Sequence, residues 1–193
     1  MIISNDEPLK PRPVSYSKTT ITELMIPSYA NFGGKIHGGI LLSLMDKVAF
    51  ACAAKHAGTY CVTVTVDNVE FLAPVEVADL VSLSASINYV GRTSLVVGIR
   101  VTAENIETGI VKHTNTSYFT MVAKGKDGKP QMVPPLLLES KTDARRFMET
   151  MKRKELKEAY QDHFDNEKNL IQVDTHLDMF DKERCIIGFD PSL

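Results

Sequence analysis

The feature that most limits how this chain can fold is one long apolar helix with a single carboxylate near its middle. The helix is predicted to run from Ile40 to His56 and to stop at Gly58, a residue suited to a C-terminal cap. Because it is apolar nearly all round, we expect it to be buried rather than to have one wet face. Burying the carboxylate of Asp46 is costly unless hydrogen bonds or charges compensate. Asp46 therefore either ties down a loop or takes part in catalysis.

Strand-like patterns flank this helix on both sides. The predicted strands span residues 16–26, 61–71, 79–90, 94–105 and 110–124. Val62, Val64 and Val66 alternate with Thr63 and Thr65, a period of two that indicates a strand with one covered face. The last three strands are joined by turns short enough for antiparallel hairpins. These patterns predict an α+β fold, with an antiparallel sheet wrapped around the buried helix.

Changes of composition divide the chain into three parts. Residues 1–15 contain three prolines and several charges, and are predicted to form a flexible leader. Residues 16–137 hold the helix and the strands. Residues 138–193 form a charged, largely helical extension, whose loose apolar stripe favours a solvated helix on the domain or on a neighbouring subunit over a basic functional site.

Charge and cysteine content narrow the range of partners. The 193 residues carry a formal net charge of −2, which gives no pull toward nucleic acid or acidic membranes. No apolar run is long enough to span a bilayer, and the first residues lack the pattern of a signal peptide. Three cysteines, an odd number, fit reduced thiols better than a disulfide framework. We expect a cytoplasmic protein without nucleic-acid or membrane partners.

The start of the long helix offers groups that could assist a reaction. Unpaired N–H groups at Gly38 and Gly39 could polarise a carbonyl, as in an oxyanion hole. Asp46 could then act as a base toward water or as a nucleophile. Asn31 adds a side chain with donor and acceptor capacity at the mouth of the turn. His37 could be a general base, but its place before the glycines favours a capping or packing role.

A metal site is the weaker alternative. Cys52 and His56 lie one helical turn apart and Cys61 follows, but a fourth ligand is not evident. Both helix positions also fall in an apolar segment. We therefore predict neither a metal nor an organic cofactor. A serine nucleophile elbow and a phosphate-binding P-loop are likewise absent from the sequence.

Five stretches, taken together, resemble the hotdog-fold acyl-CoA thioesterases. They span residues 31–46, 62–71, 89–94, 118–123 and 133–135. The resemblance is to the branch that holds bacterial acyl-CoA hydrolases and the brain-type cytosolic acyl-CoA hydrolase. It extends from about Tyr16 to Leu137.

This resemblance implies a curved antiparallel sheet around the helix and hydrolysis of acyl-CoA to fatty acid and CoA. It implies dimers joined edge to edge and commonly assembled into a trimer of dimers. The active site would lie at the dimer interface, where Asn31 of one subunit faces Asp46 of the other. Asp46 would be base or nucleophile, Asn31 would position the thioester or water, and the Gly38 and Gly39 amides would polarise the carbonyl. Two alternatives stay open: another hotdog enzyme such as a hydroxyacyl thioester dehydratase, and a non-catalytic acyl-CoA sensor.

Binding of the CoA phosphates calls for positive charge in a nearly neutral chain. Arg92 lies in a predicted turn, where its guanidinium could fork onto a phosphate, and the neighbouring Thr93 and Ser94 add donors. Lys126 and Lys129 flank another turn. Arg100, within a strand, is a further candidate for the same head group. The alternative is that these are ordinary solubilising charges.

Overall fold

A computed structural model describes residues 9–173 and 176–189 of the chain. The predicted α+β architecture is confirmed, and a five-stranded antiparallel sheet curls around one long helix. The strands are β1 (Arg12–Pro13), β2 (Thr19–Leu24), β3 (Tyr60–Val66), β4 (Asp79–Val90), β5 (Ser94–Asn105), β6 (Val111–Lys124) and β7 (Leu136–Leu137). The helices are α1 (Val14–Ser17), α2 (Gly38–Ala57) and α3 (Lys141–Leu170), with 3-10 turns at Pro27–Tyr29 and Leu177–Phe180.

The strand order of the sheet is β2-β4-β5-β6-β3. The two predicted hairpins, β4–β5 and β5–β6, are confirmed as antiparallel pairs. The strand predicted for residues 61–71 ends earlier, at Val66. It is an edge strand, whose only partner among the described strands is β6, and a bulge between Thr63 and Thr65 interrupts its alternation.

The core lies between α2 and the inner face of the sheet. Alternate residues of the central strands point at the helix and are fully buried, because side chains alternate between the two faces of a strand. The largest among them are Leu83, Ile87, Leu95, Ile99, Phe119 and Met121. Gly58 has a φ of 72° and ends α2 in the left-handed conformation, as predicted from its position.

The expectation that α2 is buried all round is wrong for the single chain. Leu41, Met45, Val48 and Cys52 face the sheet, but a second face is exposed, and Asp46 lies on it. The reason is geometric: one sheet covers only one side of a helix. Leu42 and Phe50 share the exposed face with Asp46, so this face combines apolar side chains with one carboxylate.

The leader predicted for residues 1–15 is ordered in its described part, and residues 1–8 lie outside the described residues. β1 pairs in parallel with β7, and Val14 is buried. Arg12 donates from Nη1 to the carbonyl oxygens of Lys55 and His56 at 3.1 and 2.6 Å. A guanidinium at that position satisfies carbonyls that the end of α2 leaves open.

The chain divides into two compact units, and the boundary in the sequence falls between Thr150 and Met151, within α3. The sheet, α2 and the first turns of α3 belong to the first unit. The second holds the rest of α3 and the turn at Leu177–Phe180, so the predicted helical extension is confirmed. None of the described helices is long and apolar enough to cross a membrane.

Candidate active site

A tight loop between the first 3-10 turn and α2 holds Asn31. The loop closes on itself where the Asn31 N–H donates to the Lys35 carbonyl at 2.7 Å and the His37 N–H donates to the Tyr29 carbonyl at 2.9 Å. The Asn31 side-chain oxygen accepts from the N–H groups of Gly33 and Lys35, at 2.8 and 3.2 Å. These bonds fix the side chain, and its Nδ2 has no hydrogen-bond partner among the described residues. Asn31 therefore presents an oriented amide donor.

The start of α2 is capped by a histidine. His37 Nδ1 accepts a hydrogen bond from the Gly39 N–H at 2.8 Å, which supports the capping role over the general-base role. The Gly39 amide is thus already paired. The Gly38 N–H has no partner within the described parts of the chain, and it is the donor left at this end. The Phe71 ring packs on Gly38, where an added Cβ would lie 3.0 Å from Cζ.

Asp46 is paired with a threonine of the neighbouring edge strand. Thr63 Oγ1 donates to Asp46 Oδ1 at 2.6 Å, and both residues are exposed in the single chain. The bulge in β3 begins at Thr63, so this hydroxyl is aimed by a local distortion of the strand. Thr63 is not among the site residues predicted from the sequence. The signal for it was present in the strand pattern, which put Thr63 on the polar face of β3.

Apolar side chains around Asp46 are open to solvent. Phe50 of α2 and Tyr60 of β3 have ring centroids 5.7 Å apart and are both exposed. Val64 is 59% exposed, and Val66 is exposed as well, although both belong to the strand face predicted to be covered. Exposed apolar residues along an unpaired strand edge are typical of a surface that another chain covers.

Within the described residues, no hydrogen bond joins Asn31 to Asp46. Asn31 belongs to the loop before α2, and Asp46 lies more than two helical turns further along. The single chain therefore displays two separate polar groups, the Asn31 amide and the Asp46–Thr63 pair.

The cationic residues predicted to bind CoA fall into two places. Arg92 and Thr93 form the β4–β5 turn, whose carbonyls accept from the Val133 and Ala123 N–H groups at 3.1 and 2.9 Å. That contact brings the 125–131 turn, with Lys126 and Lys129, to the same end of the sheet, and Ser94 begins β5 there. Arg100 lies elsewhere, on the outer face of β5, and is not brought together with the others.

The three residues considered as metal ligands are accounted for by packing. Cys52 and Cys61 are buried, and burial raises the pKa of Cys52 to about 12 and that of Cys61 to about 11. His56 is also buried, with Nε2 3.1 Å from the Pro134 carbonyl oxygen. Burial lowers the pKa of His56, with a smaller contribution in the same direction from Arg12, against the raising effect of the Pro134 contact.

The sequence of this chain is similar to those of several known proteins. Residues 33–110 match the Thioesterase superfamily. The Protein VdlD of Helicobacter pylori is 43% identical over 73% of this chain and 80% of its own length. A Zymomonas mobilis protein, named an uncharacterized acyl-CoA thioester hydrolase, is 38% identical over 72% of this chain and 93% of its own.

Two solved structures share the fold of this chain. An apo-hexameric acyl-CoA thioesterase superposes with a TM-score of 0.76 at 34% identity, covering 79% of this chain and 98% of its own. An acyl-CoA hydrolase of Staphylococcus aureus, solved with butyryl-CoA and CoA, gives a TM-score of 0.73 at 26% identity, covering 82% and 96%.

The fold and these relatives define the class as the hotdog-fold thioesterases, which confirms the resemblance read from the sequence. This chain belongs to the thioesterase superfamily, among the acyl-CoA thioester hydrolases.

Proposed function

We propose that the chain hydrolyses fatty acyl-CoA to a fatty acid and CoA at a site formed by Asn31, Asp46 and Thr63. The observation that carries the proposal is the hydrogen bond from Thr63 to Asp46. Three solved structures of the S. aureus acyl-CoA hydrolase carry single alanine substitutions, of an asparagine, an aspartate and a threonine. The gaps between those positions are 15 and 17 residues, the same as the gaps from Asn31 to Asp46 and from Asp46 to Thr63.

Each residue has a role that its contacts support. Asp46 takes a proton from water as the water oxygen attacks the thioester carbonyl carbon. Thr63 holds the carboxylate by donating to Oδ1, which leaves Oδ2 to face the water. The Asn31 amide and the Gly38 N–H donate to the carbonyl oxygen as it gains negative charge. The Gly39 N–H serves the site indirectly, since it fixes the His37 cap.

The remaining bonds rearrange without a metal or an organic cofactor. The carbon–sulfur bond breaks, sulfur leaves as the CoA thiolate, and the proton held by Asp46 returns to it. A thiolate is a good leaving group and a thioester has little resonance stabilisation, so one base and a few oriented donors suffice. Direct attack by Asp46 would instead form a mixed anhydride. In H₂¹⁸O, water attack on its Asp46 carboxyl carbon would release the first fatty acid with ¹⁶O from Asp46, whereas attack on its acyl carbon would label the fatty acid with ¹⁸O, as general-base catalysis does.

The site is shared between two chains in this proposal. Asn31 and Asp46 do not meet in one chain, and the surface around Asp46 is apolar and borders the free edge of β3. Pairing of two such edges would cover Val64 and Val66 and bring a second Asn31 to each Asp46. Hexamers are described for two related thioesterases, which supports a trimer of such dimers.

The proposal places the CoA head group at the end of the sheet where the β4–β5 turn and the 125–131 turn lie side by side. Arg92, Thr93 and Ser94 lie beside the turn that carries Lys126 and Lys129, so phosphates could bridge the two turns. Arg92→Ala should raise KM for acyl-CoA and leave a short pantetheine thioester unaffected, because that substrate lacks the nucleotide. If Arg92→Ala slowed both substrates alike, Arg92 would support the fold instead.

Thiol release from a panel of acyl-CoA substrates tests the activity directly. Wild type should release CoA, and Asp46→Asn should lower kcat by at least about 100-fold, the lower range for a positioned base. Asn31→Ala should also impair turnover. Binding of acyl-CoA without thiol release would make the protein a sensor, and water addition to an enoyl thioester would make it a hydratase. Because Cys185 is exposed, each assay is also run in a Cys185→Ser background.

A further inference from the structure

A cationic cavity lies on the outer face of the sheet, on the side away from α2. It has a volume of about 420 Å³ and lies between strands β4 to β6 and the first turns of α3. These turns are held in place at two points. The Tyr89 and Phe147 rings pack with centroids 5.0 Å apart, and Ser140 caps the helix by exchanging hydrogen bonds with Asp143 at 2.7 and 3.1 Å. The cavity is therefore built from ordered parts of one compact unit.

Four cationic side chains and one carboxylate line this cavity. The cations are Lys18, Arg100, Arg145 and Arg146, and the carboxylate is Glu149. Arg145 is paired with Glu149 along the helix. Lys18, Arg100 and Arg146 have no ion pair with any described residue. Lys18 interacts electrostatically with the Glu139 carboxylate, so the unpaired positive charge of the cavity comes mainly from Arg100 and Arg146. In a chain of net charge −2, these two guanidinium groups create a local site for an anion.

The floor of the cavity carries one amide, that of Asn88, whose N–H donors are not used by the described part of the fold. Asn88 is only 6% exposed and lies at a bulge in β4, where the pairing with β5 shifts by one residue. Its Oδ1 accepts from Ser86 Oγ at 3.1 Å, and its Nδ2 has no acceptor among the described residues. The amide lies directly over Gly98, where an added Cβ would be 2.3 Å from Nδ2. The Asn88 side chain is thus largely buried, and its amide N–H groups face the cationic cavity without an acceptor among the described residues, so they are available to a ligand.

We infer that this cavity binds the phosphate groups of a small phosphorylated molecule with a polar body. Arg100 and Arg146 would donate to phosphate oxygens, since a guanidinium forks onto phosphate, and Lys18 would add charge. The body would lie on Asn88, Ser86 and Thr116. The volume far exceeds that of a single inorganic phosphate, and the polar lining does not suit an acyl chain.

The inference does not rest on the proposed thioesterase activity. Asp46 and Thr63 meet beside α2, on the inner side of the same sheet, so the cavity is separate from the Asp46 site of its own chain. The phosphates could come from CoA itself, bound to a neighbouring chain's site, or from a free nucleotide. The chemistry of recognition is the same for both sources.

Titration calorimetry on the full chain tests the inference, with ADP and inorganic pyrophosphate as probes and adenosine as the uncharged control. ADP should bind, adenosine should bind at least about tenfold more weakly, and salt should weaken ADP binding. Arg100→Gln and Arg146→Gln should each weaken ADP binding by about tenfold or more, as expected for hydrogen bonds to a charged group. Lys152→Gln, which removes a charge from the same helix outside the cavity, should leave it unchanged, and Asp46→Asn should bind ADP like wild type.

The KM for acyl-CoA separates the two sources. A KM raised in Arg146→Gln, with an unaffected pantetheine thioester, assigns the cavity to the phosphates of CoA. An unchanged KM with weakened ADP binding assigns it to a separate phosphorylated ligand. The inference is overturned if both arginine variants keep wild-type affinity for ADP and pyrophosphate and wild-type KM, or if neither probe binds and KM does not change.

Discussion

The two faces of the central sheet are made from the same strands and have opposite chemistry. Leu83 and Ile87 of β4 and Ile99 of β5 point inward, where α2 covers them completely. Ser84 and Arg100 point outward from the same strands and line the cationic cavity. One stretch of chain thus supplies an apolar core and a polar binding surface, because its side chains alternate.

The faces also differ in what completes them. The outer cavity is closed by α3 of the same chain, within one compact unit. The inner face is covered by α2, but the opposite side of α2 is exposed and carries Asp46 among apolar residues. We expect the inner site to depend on a second chain and the outer site to be present in each chain by itself.

The largest expected effect is the recovery of activity when two inactive variants are mixed, which tests whether the inner site needs a second chain. Asn31→Ala and Asp46→Asn are each expected to be nearly inactive, whereas redistributed dimers should hold both native residues in about a quarter of their sites. Thiol release should rise toward that fraction of the wild-type rate. Subunit exchange is verified with differently tagged chains. An exchanged mixture that stays inactive would contradict a shared inner site.

Removing the Thr63 hydroxyl should have the next largest effect. Thr63→Val keeps the shape of the side chain and removes the donor to Asp46, so kcat should fall by about tenfold, the scale of one hydrogen bond to a charged group. Thr22→Val is the matched control on the outer face, where Thr22 hydrogen bonds to Ser82 at 3.1 Å. Equal loss of activity in both variants would mean that the threonines act only through stability.

Filling the space under Asn88 should disturb the outer face alone. In Gly98→Ala the new methyl would meet the Asn88 amide, and overpacking of this kind costs about 1–3 kcal/mol. Urea denaturation should show that loss, and ADP binding should weaken because the amide is displaced. Gly188→Ala, where the new Cβ meets nothing within 4 Å, should leave stability unchanged. Wild-type stability and ADP affinity in Gly98→Ala would place Asn88 away from the ligand.

Lowering the pH should reduce the unfolding free energy through His56, which is buried on the inner side, and this is the smallest of the expected effects. Burial lowers the pKa of His56, so the unfolded chain takes up a proton below a pH of about 6.5 while the folded chain does not. The His56 contribution to stability is complete above that pH and declines below it, by at most about 1.4 kcal/mol per pH unit. His56→Gln should flatten the pH dependence of the unfolding free energy. An unchanged slope in His56→Gln would assign the pH dependence to other groups.

The fold was largely predictable from the sequence, because α2 and the hairpins have strong periodic patterns and clear punctuation. Gly58 marked the end of α2, and β4 and β5 begin and end where their apolar runs do. The small pairing of β1 with β7 was missed, since two residues have no period and their partners are distant in sequence.

The candidate site was predictable only in part. Asp46 was identified as a carboxylate within an apolar helix. Asn31 was identified from its donor and acceptor capacity beside the glycine turn and from the family resemblance. The hydrogen bond to Thr63 depends on the bulge in β3, which alternation cannot predict. The exposure of Asp46 was mispredicted because an apolar helix gives no sign of whether its own chain or another covers each side. The surroundings of Arg100 could not be predicted either, because the cavity that it lines on the outer face of the sheet is formed only where α3 packs there.

The strand order of the sheet has a consequence for how the protein is made. β3 follows α2 directly, but in the part of the chain that the structure describes its neighbour in the sheet is β6, and β1 pairs with β7 near residue 137. A chain emerging from the ribosome therefore lacks the β6 partner of its apolar edge strand until 58 further residues, from the end of β3 to the end of β6, have been synthesised. Such long-range pairing slows folding and leaves Val64 and Val66 available for wrong contacts. Chaperone demand during synthesis should be greatest in the interval between α2 and the end of β6.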